Sequence, residues 1–285
     1  MTQFLQLIIN GILLGGLYAL ISMGLTLIFG VMNIINFAHG EFLMLSMYAT
    51  FWLGSIYGLD PYLSLLIIIP GFFFVGLFFQ KSMIDPLIKA PEIAQIFATV
   101  GLSIVLQNLA LFFFSADYRT LKSTYSGQSL VIGDLYVSVT RLIAFGFVVC
   151  ITIVLFWFLK NTFWGKAIRA TAQNREAAQL MGINIKKVYS ISMGIGISCV
   201  AIAGAVLSPI YSIFPNVGVQ FVLIAFIVVV LGGMGNLKGA FLGGIIIGLI
   251  EALSGFFIAP PLKNLVYFIM FILILLLKPT GLFQE

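Results

Sequence analysis

Residues 4–30 read FLQLIINGILLGGLYALISMGLTLIFG and indicate what kind of protein this is. About 20 predominantly apolar residues are enough to cross the hydrocarbon core of a bilayer as an α-helix. Inside lipid the backbone polar groups must be satisfied within the segment, and a continuous apolar run favours a helix over a barrel strand. This run therefore predicts a transmembrane helix, tilted or broken because it exceeds one crossing.

The composition extends this prediction to the whole chain. Of the 285 residues, 61% are hydrophobic and 8% are charged, whereas soluble domains carry about 25% charged residues. Apolar segments fall near 4–30, 37–57, 62–80, 93–115, 140–160, 188–212, 218–234, 239–258 and 262–278. The sequence predicts an all-α polytopic membrane protein with about 8–10 transmembrane helices, forming a single domain over residues 1–285.

Basic residues between the apolar segments predict the orientation, because cytoplasmic loops are enriched in lysine and arginine. The richest group is Lys160, Lys166, Arg169, Arg175, Lys186 and Lys187. Counting spans from this loop assigns ten basic residues to the cytoplasmic side and four to the other side. The bias predicts an external N-terminus, a cytoplasmic C-terminus and an external loop at 116–139 with some structure of its own. The same bias explains the net charge of +5, so nucleic-acid binding is not needed to explain it.

Small residues spaced by four recur within the apolar segments, which places both members of a pair on one helix face. The pairs are Gly11 and Gly15, Ala201 and Ala205, Gly239 and Gly243, and Gly244 and Gly248. Such faces let helix backbones approach closely. They predict tight helix packing, and a sliding gate is compatible with the same pattern.

Residues 33–41 read NIINFAHGE and contain the single histidine of the chain, His39. By the predicted topology this stretch lies at or near the cytoplasmic boundary. Two interpretations remain open. In the first, the asparagines and Gly40 shape a turn while His39 and Glu41 satisfy helix ends. In the second, the stretch is part of a gate or pathway, since ionisable residues at membrane depth are usually functional. One histidine and one glutamate are too few ligands for a metal.

Residues 165–182 predict two short helices. Asn174 is a good N-cap, Glu176 suits the positive end of the second helix, and Gly182 suits its C-terminal stop. The second helix has an apolar surface made of Ala177, Ala178, Leu180 and Met181. Such a basic juxtamembrane helix either lies on anionic lipid or docks into a groove on a cytoplasmic partner.

The glycine-rich stretch from Gly232 to Gly239 predicts either a tight turn or a re-entrant bend. It lacks the Gly-Lys-Ser/Thr ending of a phosphate-binding loop and follows an apolar span rather than a strand. We therefore expect no ATP site in this chain. Within the eighth span, Glu251 is either a proton site or a structural group paired with Lys263 or Asn10.

Three stretches resemble the permease subunits of branched-chain amino acid ABC importers, of the LivH type. They are residues 24–44, GLTLIFGVMNIINFAHGEFLM, residues 169–184, RATAQNREAAQLMGIN, and residues 231–244, LGGMGNLKGAFLGG. They occur in the order of the family, and the similarity runs along nearly all of the chain.

The resemblance implies an inner-membrane permease that imports leucine, isoleucine or valine by alternating access. The implied partners are a second homologous permease, two cytoplasmic ATPases that bind ATP and Mg, an external solute-binding protein and the lipid bilayer. No cofactor is implied for this chain itself. The resemblance also implies that loop 161–187 is a coupling loop. Its implied ATPase-coupling residues are Arg169, Asn174, Arg175, Glu176, Ala177 and Gly182. The candidate gate or pathway residues are Asn33, Asn36, His39, Glu41, Gly232 and Gly233.

Three other interpretations have different consequences. A related importer would carry urea or short amides, which the cognate binding protein would reveal. An ion-coupled secondary transporter would use Glu251 or Glu41 and would work without partners. An intramembrane enzyme lacks support, because the chain contains neither a His-Glu-x-x-His nor a Gly-x-Ser-x-Gly motif.

Overall fold

The computed structural model describes residues 2–258, 263–278 and 281–283. The helices are α1 (Thr2–Met32), α2 (His39–Tyr57), α3 (Leu65–Phe79), α4 (Asp85–Leu87), α5 (Glu92–Phe114), α6 (Val139–Asn161), α7 (Phe163–Gln173), α8 (Arg175–Leu180), α9 (Ile185–Leu207), α10 (Val217–Gly232), α11 (Leu237–Phe257) and α12 (Lys263–Leu277). A π-helical turn, Gln80–Ile84, joins α3 to α4. An antiparallel hairpin is formed by β1 (Ser129–Ile132) and β2 (Leu135–Ser138).

These elements confirm the prediction of an all-α polytopic membrane protein. Six helices in the described part of the chain are long and apolar enough to cross a membrane: α1, α3 with its extension to α4, α5, α6, α9 and α11. With α2, α10 and α12, every predicted apolar segment contains a helix. The first segment is one unbroken helix of 31 residues, about 46 Å long, so the broken alternative is wrong.

Helices α1 and α11 are packed through small residues. A Cβ built on Gly11 would meet Leu249, and one on Gly15 would meet Ile245. The contact partner moves backwards along α11 as α1 advances, so the two helices are antiparallel. On α11, Gly248 lies directly against the backbone of Gly15, which confirms the predicted close approach.

Helix α9 forms the centre of the core, because most of its residues are buried against α1, α2 and α3. Its glycines allow this crowding. Gly196 lies against Gly24 of α1, and Gly204 lies against the backbone of Leu43 in α2. On α3, Gly76 lies against Gly194. A displacement of α9 therefore acts on three other helices at once.

Helices α2 and α10 both begin inside the molecule. The Nε2 atom of His39, the first residue of α2, lies 3.1 Å from the carbonyl oxygen of Ile21. Since Ile21 precedes the end of α1 by eleven residues, α2 starts about 16 Å back from that end. Residues 33–38 make this return without helical structure, and residues 208–216 likewise lead into α10. Irregular backbone at such depth is tolerated where protein surrounds it.

The predicted boundary position of residues 33–41 is consequently wrong for most of the stretch. Asn33 is exposed, whereas Asn36, His39 and Glu41 are fully buried. Sequence counting placed the whole stretch after the first span, and it missed the return of the chain along α1. The first turns of α2 and α10 meet at Gly40 and Gly218, whose backbones touch each other.

The two ends of the bundle have different structures. At the hairpin face, defined by β1 and β2, the side chain of Gln6 exchanges hydrogen bonds with the backbone of Tyr136. This hairpin confirms the structure predicted within 116–139. The basic face is defined by α7, α8 and the turn 233–236.

That turn confirms the tight-turn prediction over the re-entrant one. Gly233 and Gly235 have φ values of 91° and 92°, which favour glycine. Asn236 then caps α11, because its Oδ1 atom accepts a hydrogen bond of 3.1 Å from the amide of Gly239.

Candidate functional site

Helices α7 and α8 are separated where the sequence predicted. Asn174 has extended backbone, and its Oδ1 atom accepts a 2.9 Å hydrogen bond from the amide of Ala177. This bond satisfies one of the orphan donors at the start of α8. Gly182 follows with φ of 84°, and its amide donates to the carbonyl of Gln179 at 3.0 Å. Glu176 lies in the first turn of α8, as predicted.

Helix α7 is fixed to the membrane domain, whereas the tip of α8 is uncovered. The buried face of α7 consists of Gly165, Ala167, Ile168 and Thr171. In α8 only Ala178 is buried. Leu180 is 88% exposed and Met181 is 83% exposed, so the described residues cover Ala178 of the predicted apolar surface but leave Leu180 and Met181 uncovered.

Arg175 ties α8 to the core of the molecule. Its guanidinium carbon lies 5.3 Å from the ring centroid of Tyr189 in α9, a cation–π contact. Tyr189 is itself buried. The side chain of Arg175 therefore connects the exposed helix α8 to the central helix α9.

A groove of about 930 Å³ opens at the basic face between the ends of α1 and α6, helix α7 and the turn 234–238. Arg169 and Asn33 both line it, together with Lys160 and Lys238. The structure thus brings a predicted coupling residue and a predicted gate residue to one groove. Its three cationic side chains suit contact with anionic groups.

The remaining gate candidates divide between two places. Gly232 packs against Gly239, and Gly233 packs against Gly281, so both support the turn at the basic face. Asn36, His39 and Glu41 lie in the interior instead, as follows from the position of α2.

Among the interior candidates, Glu41 forms a polar cluster with α5. Glu41 Oε1 accepts hydrogen bonds from Ser103 Oγ at 3.0 Å and from Gln107 Nε2 at 2.7 Å. Asn36 Oδ1 accepts from the amide of Ala38 at 3.1 Å, which shapes the start of α2. The sequence interpretation missed Ser103 and Gln107, although their spacing of four in an apolar span indicates one shared polar face.

Three buried atoms of the interior candidates lack a hydrogen-bond partner among the described residues: Asn36 Nδ2, His39 Nδ1 and Glu41 Oε2. Unpaired polar atoms are costly in an apolar interior and are uncommon in native structures. Ionisable residues at this depth generally mark pathways or relays.

Glu251 has a partner that neither sequence interpretation named. The hydroxyl of Tyr18 donates a 2.6 Å hydrogen bond to Glu251 Oε2 across the α1–α11 interface. The predicted pairing with Lys263 falls on a side chain outside the described residues.

Comparison with known proteins assigns the family. Residues 7–275 match the family model for the branched-chain amino acid transport system / permease component. The high-affinity branched-chain amino acid transport system permease protein LivH of Salmonella typhimurium is 33% identical, with 98% of this chain and 95% of the relative covered. BraD of Pseudomonas aeruginosa, a permease protein of the same description, is 30% identical with the same coverage.

A second type of permease is also similar to this chain. The probable branched-chain amino acid transport permease protein LivM of Methanocaldococcus jannaschii is 28% identical over 95% of the chain and 91% of the relative. No solved structure matches. A family model spanning nearly the whole chain, and relatives of about the same length, establish that this protein belongs to the branched-chain amino acid transport system permease family.

Proposed function

We propose that this chain is the membrane-spanning permease subunit of an ATP-driven importer, and that it moves leucine, isoleucine or valine across the inner membrane by alternating access. Its basic face is cytoplasmic, its N-terminus is external and its C-terminus is cytoplasmic, in agreement with the distribution of lysine and arginine. Two ATPase subunits, which bind ATP and Mg, contact the basic face. A second permease completes the translocation path. A solute-binding protein delivers the cargo at the hairpin face.

The observation that carries this proposal is the exposed tip of α8 on a fixed base. Leu180 and Met181 are uncovered, while Ala178 and Arg175 attach the same short helix to the rest of the chain. An apolar helix face of this kind suits a groove on another protein. We therefore assign the ATPase contact to residues 165–182, with Arg169, Asn174, Arg175, Glu176, Ala177 and Gly182 as its coupling residues.

The packing offers a route from this contact to the path. Movement of α8 is transferred to α9 through Arg175 and Tyr189. Movement of α7 is transferred to α6, α1 and α9 through its buried face. Since α9 contacts α1, α2 and α3, the helices around Asn36, His39 and Glu41 change position together. These residues, with Asn33, Gly232 and Gly233, are the proposed gate.

The test is a double variant, Arg175→Ala with Glu176→Ala, in the complete importer reconstituted in vesicles. We expect ATP hydrolysis to continue and leucine uptake to be lost, while membrane insertion stays normal. The matched control is Lys186→Ala with Lys187→Ala, which removes charge at the start of α9. Normal uptake in the first double variant would contradict the coupling role.

Two further measurements separate the competing functions. The chain reconstituted alone should neither hydrolyse ATP nor accumulate leucine in a proton or sodium gradient. Hydrolysis would refute the division of labour, and gradient-driven uptake would favour a secondary transporter. Ligand binding by the cognate external protein decides between branched-chain amino acids and urea or short amides as cargo.

A further inference from the structure

The groove at the basic face brings three cations together. Lys160 comes from the last turn of α6, Arg169 from α7 and Lys238 from the first turn of α11, and all three residues are exposed. Among the described residues, none of these side chains makes an ion pair or a hydrogen bond, and no acidic residue lines the groove. Three convergent cations without a partner suit an anionic ligand such as a phosphate diester.

The helix ends around the groove do not reverse this charge. The carbonyl ends of α1, α6 and α7 reach the groove, and the amide end of α11 opposes them. Each helix end carries only about half a unit charge. The three full positive charges therefore outweigh the helix ends, and the groove as a whole is electropositive.

The inner part of the groove is apolar. Phe29 of α1 and Phe156 of α6 line it about one helical turn before these helices end, and both are half-buried. Leu159, Met234 and Leu237 add further apolar surface. The groove therefore extends about 5 Å along the spans, and it combines a cationic mouth with an apolar interior. A small hydrophilic anion would use only the mouth.

Aromatic side chains indicate where the membrane surface lies beside this groove. Trp157 is exposed near the end of α6, and Phe163 and Trp164 are exposed at the start of α7. Exposed tryptophans are enriched at the level of the lipid headgroups, where one end of the ring is in apolar surroundings and the other is wet. Lys160 lies between these residues in the chain, so the mouth of the groove lies at headgroup level.

We propose that this groove binds the headgroup of an anionic phospholipid. The phosphate diester lies among Lys160, Arg169 and Lys238, and the first part of the acyl chains lies along Phe29 and Phe156. Basic pockets between helix ends at a membrane surface suit such headgroups. The lipid thereby joins α7, the base of the coupling loop, to α6 and α11.

This inference goes beyond the proposed function, because it concerns a lipid rather than the cargo or the ATPases. An acidic segment of an ATPase is the rival occupant of the groove. Such a segment would pair with the cations but would leave the apolar interior of the groove without a ligand, so the lipid accounts for more of the lining.

The first test measures lipid binding to the purified full chain by native mass spectrometry. Phosphatidylglycerol is compared with phosphatidylcholine of the same acyl chains. The groove variant is Lys160→Gln with Lys238→Gln. The matched control is Lys186→Gln with Lys187→Gln, which removes two exposed cations that do not line the groove.

We expect the unsubstituted chain and the control to retain one phosphatidylglycerol in preference to phosphatidylcholine. In the groove variant, the dissociation constant of phosphatidylglycerol should rise about thirtyfold, which corresponds to about 1 kcal/mol for each cation removed near a membrane surface. Equal affinity in the two double variants would overturn the site. Equal retention of both lipids by the unsubstituted chain would overturn it as well.

Inorganic phosphate distinguishes a lipid headgroup from a free anion. We expect it neither to displace phosphatidylglycerol nor to raise the melting temperature of the chain, whereas phosphatidylglycerol should raise that temperature by binding the folded state. If inorganic phosphate does both as well as the lipid, the ligand is a free anion and the lipid assignment is wrong.

A second test leaves all three cations in place, so it does not depend on the folding of the groove variant. Ala172→Cys, at a position that lines the groove, is introduced with Cys150→Ser and Cys199→Ser. The rate of labelling by an uncharged thiol reagent is measured in lipid nanodiscs without the ATPases. Nanodiscs that contain phosphatidylglycerol should slow the labelling relative to nanodiscs of phosphatidylcholine alone.

The control for this test is Gln179→Cys in the same background, at an exposed position on α8. It should be labelled at the same rate in both kinds of nanodisc. Equal labelling of Ala172→Cys in both would contradict the lipid site. Slower labelling that appears only after the ATPases are added would assign the groove to the ATPase instead, and it would also overturn the proposal.

Failure of this inference is distinguishable from failure of the proposed function, because lipid binding is measured without ATP and without cargo. If the lipid binds but the complete importer does not carry leucine, the proposed function fails and the lipid site stands. If leucine is carried and phosphatidylglycerol is not retained, only the lipid site is wrong.

Discussion

Helices α1 and α11 contact each other through glycine backbones, whereas α2 and α5 are joined by side chains, namely a polar group around Glu41 and the stacked rings of Tyr48 and Phe114. In the first interface Gly15 and Gly248 lie in direct contact. In the second, Ser103 and Gln107 reach Glu41, and only three residues of α5 are buried. Two close-packed helices have few stable positions relative to each other, because their surfaces interlock. A few hydrogen bonds between side chains can instead be exchanged for others as a helix moves. The difference indicates that α1 and α11 move as one block and that α5 is the element that can shift.

The largest expected effect comes from filling the α1–α11 interface. Gly248→Leu forces a side chain into the backbone of Gly15, and we expect a loss of about 3 kcal/mol or more, at the upper end for overpacking. The yield of monodisperse protein and its melting temperature measure this. Gly255→Leu is the control, since open space surrounds Gly255 on the same helix. Equal losses in both variants would contradict the close-packed block.

A smaller effect is expected at the α2–α5 interface. Gln107→Leu removes the 2.7 Å hydrogen bond to Glu41 and leaves a buried acceptor less satisfied, at a cost of about 1–3 kcal/mol. Asn108→Leu is the matched control, because Asn108 is exposed and its hydrogen bond among the described residues goes to Ile104 of its own helix. Thermal unfolding in lipid nanodiscs compares the two. If both variants unfold at the same temperature, the polar cluster does not hold α5.

Arg119 allows a further test of the α2–α5 interface, because it attaches the end of α5 to α2. Its guanidinium carbon lies 5.4 Å and 5.2 Å from the rings of Phe51 and Trp52, and Nη2 donates to the carbonyl of Phe114 at 2.8 Å. We expect Arg119→Ala to cost about 1–2 kcal/mol and to speed hydrogen exchange at the end of α5. Lys122→Ala should change neither quantity, and an equal response there would argue against this attachment.

The smallest effect is expected in α8. Asn174→Ala removes the cap on Ala177 and should destabilise the helix by about 1 kcal/mol, visible as faster hydrogen exchange within residues 175–180. Gln179→Ala, on the same helix, keeps the cap and should exchange at the original rate. An unchanged exchange rate in Asn174→Ala would mean that packing within this chain, and not the cap, keeps α8 helical.

The sequence allowed accurate predictions wherever the decisive interactions are local. Helix capping by Asn174 and the left-handed conformation of Gly182 depend on adjacent residues, so the boundaries of α8 were predictable. Apolar runs likewise predicted the spans, because lipid selects for length and hydropathy. The family resemblance was confirmed over residues 7–275, a range that includes the three quoted stretches.

The breaks before α2 and α10 fall between predicted apolar segments, but their depth inside the bundle was not predictable. The non-helical return before α2 contains the apolar residues Ile34, Ile35 and Phe37, so it resembles part of a membrane span. Its depth depends on a contact with Ile21 of another helix. The bond between Tyr18 and Glu251 joins residues far apart in sequence. Such pairings are decided by tertiary packing, which no local pattern encodes.

The contact of Gly40 with Gly218 has a consequence for how the bundle can bend. At this point the two backbones touch, and Val222 Cβ and Glu41 Oε2 lie beside the contact. A change in the angle between the two helices therefore has to displace both backbones and the Glu41 side chain together. Any tilt of α10 is consequently transmitted to the start of α2 without delay by soft side chains.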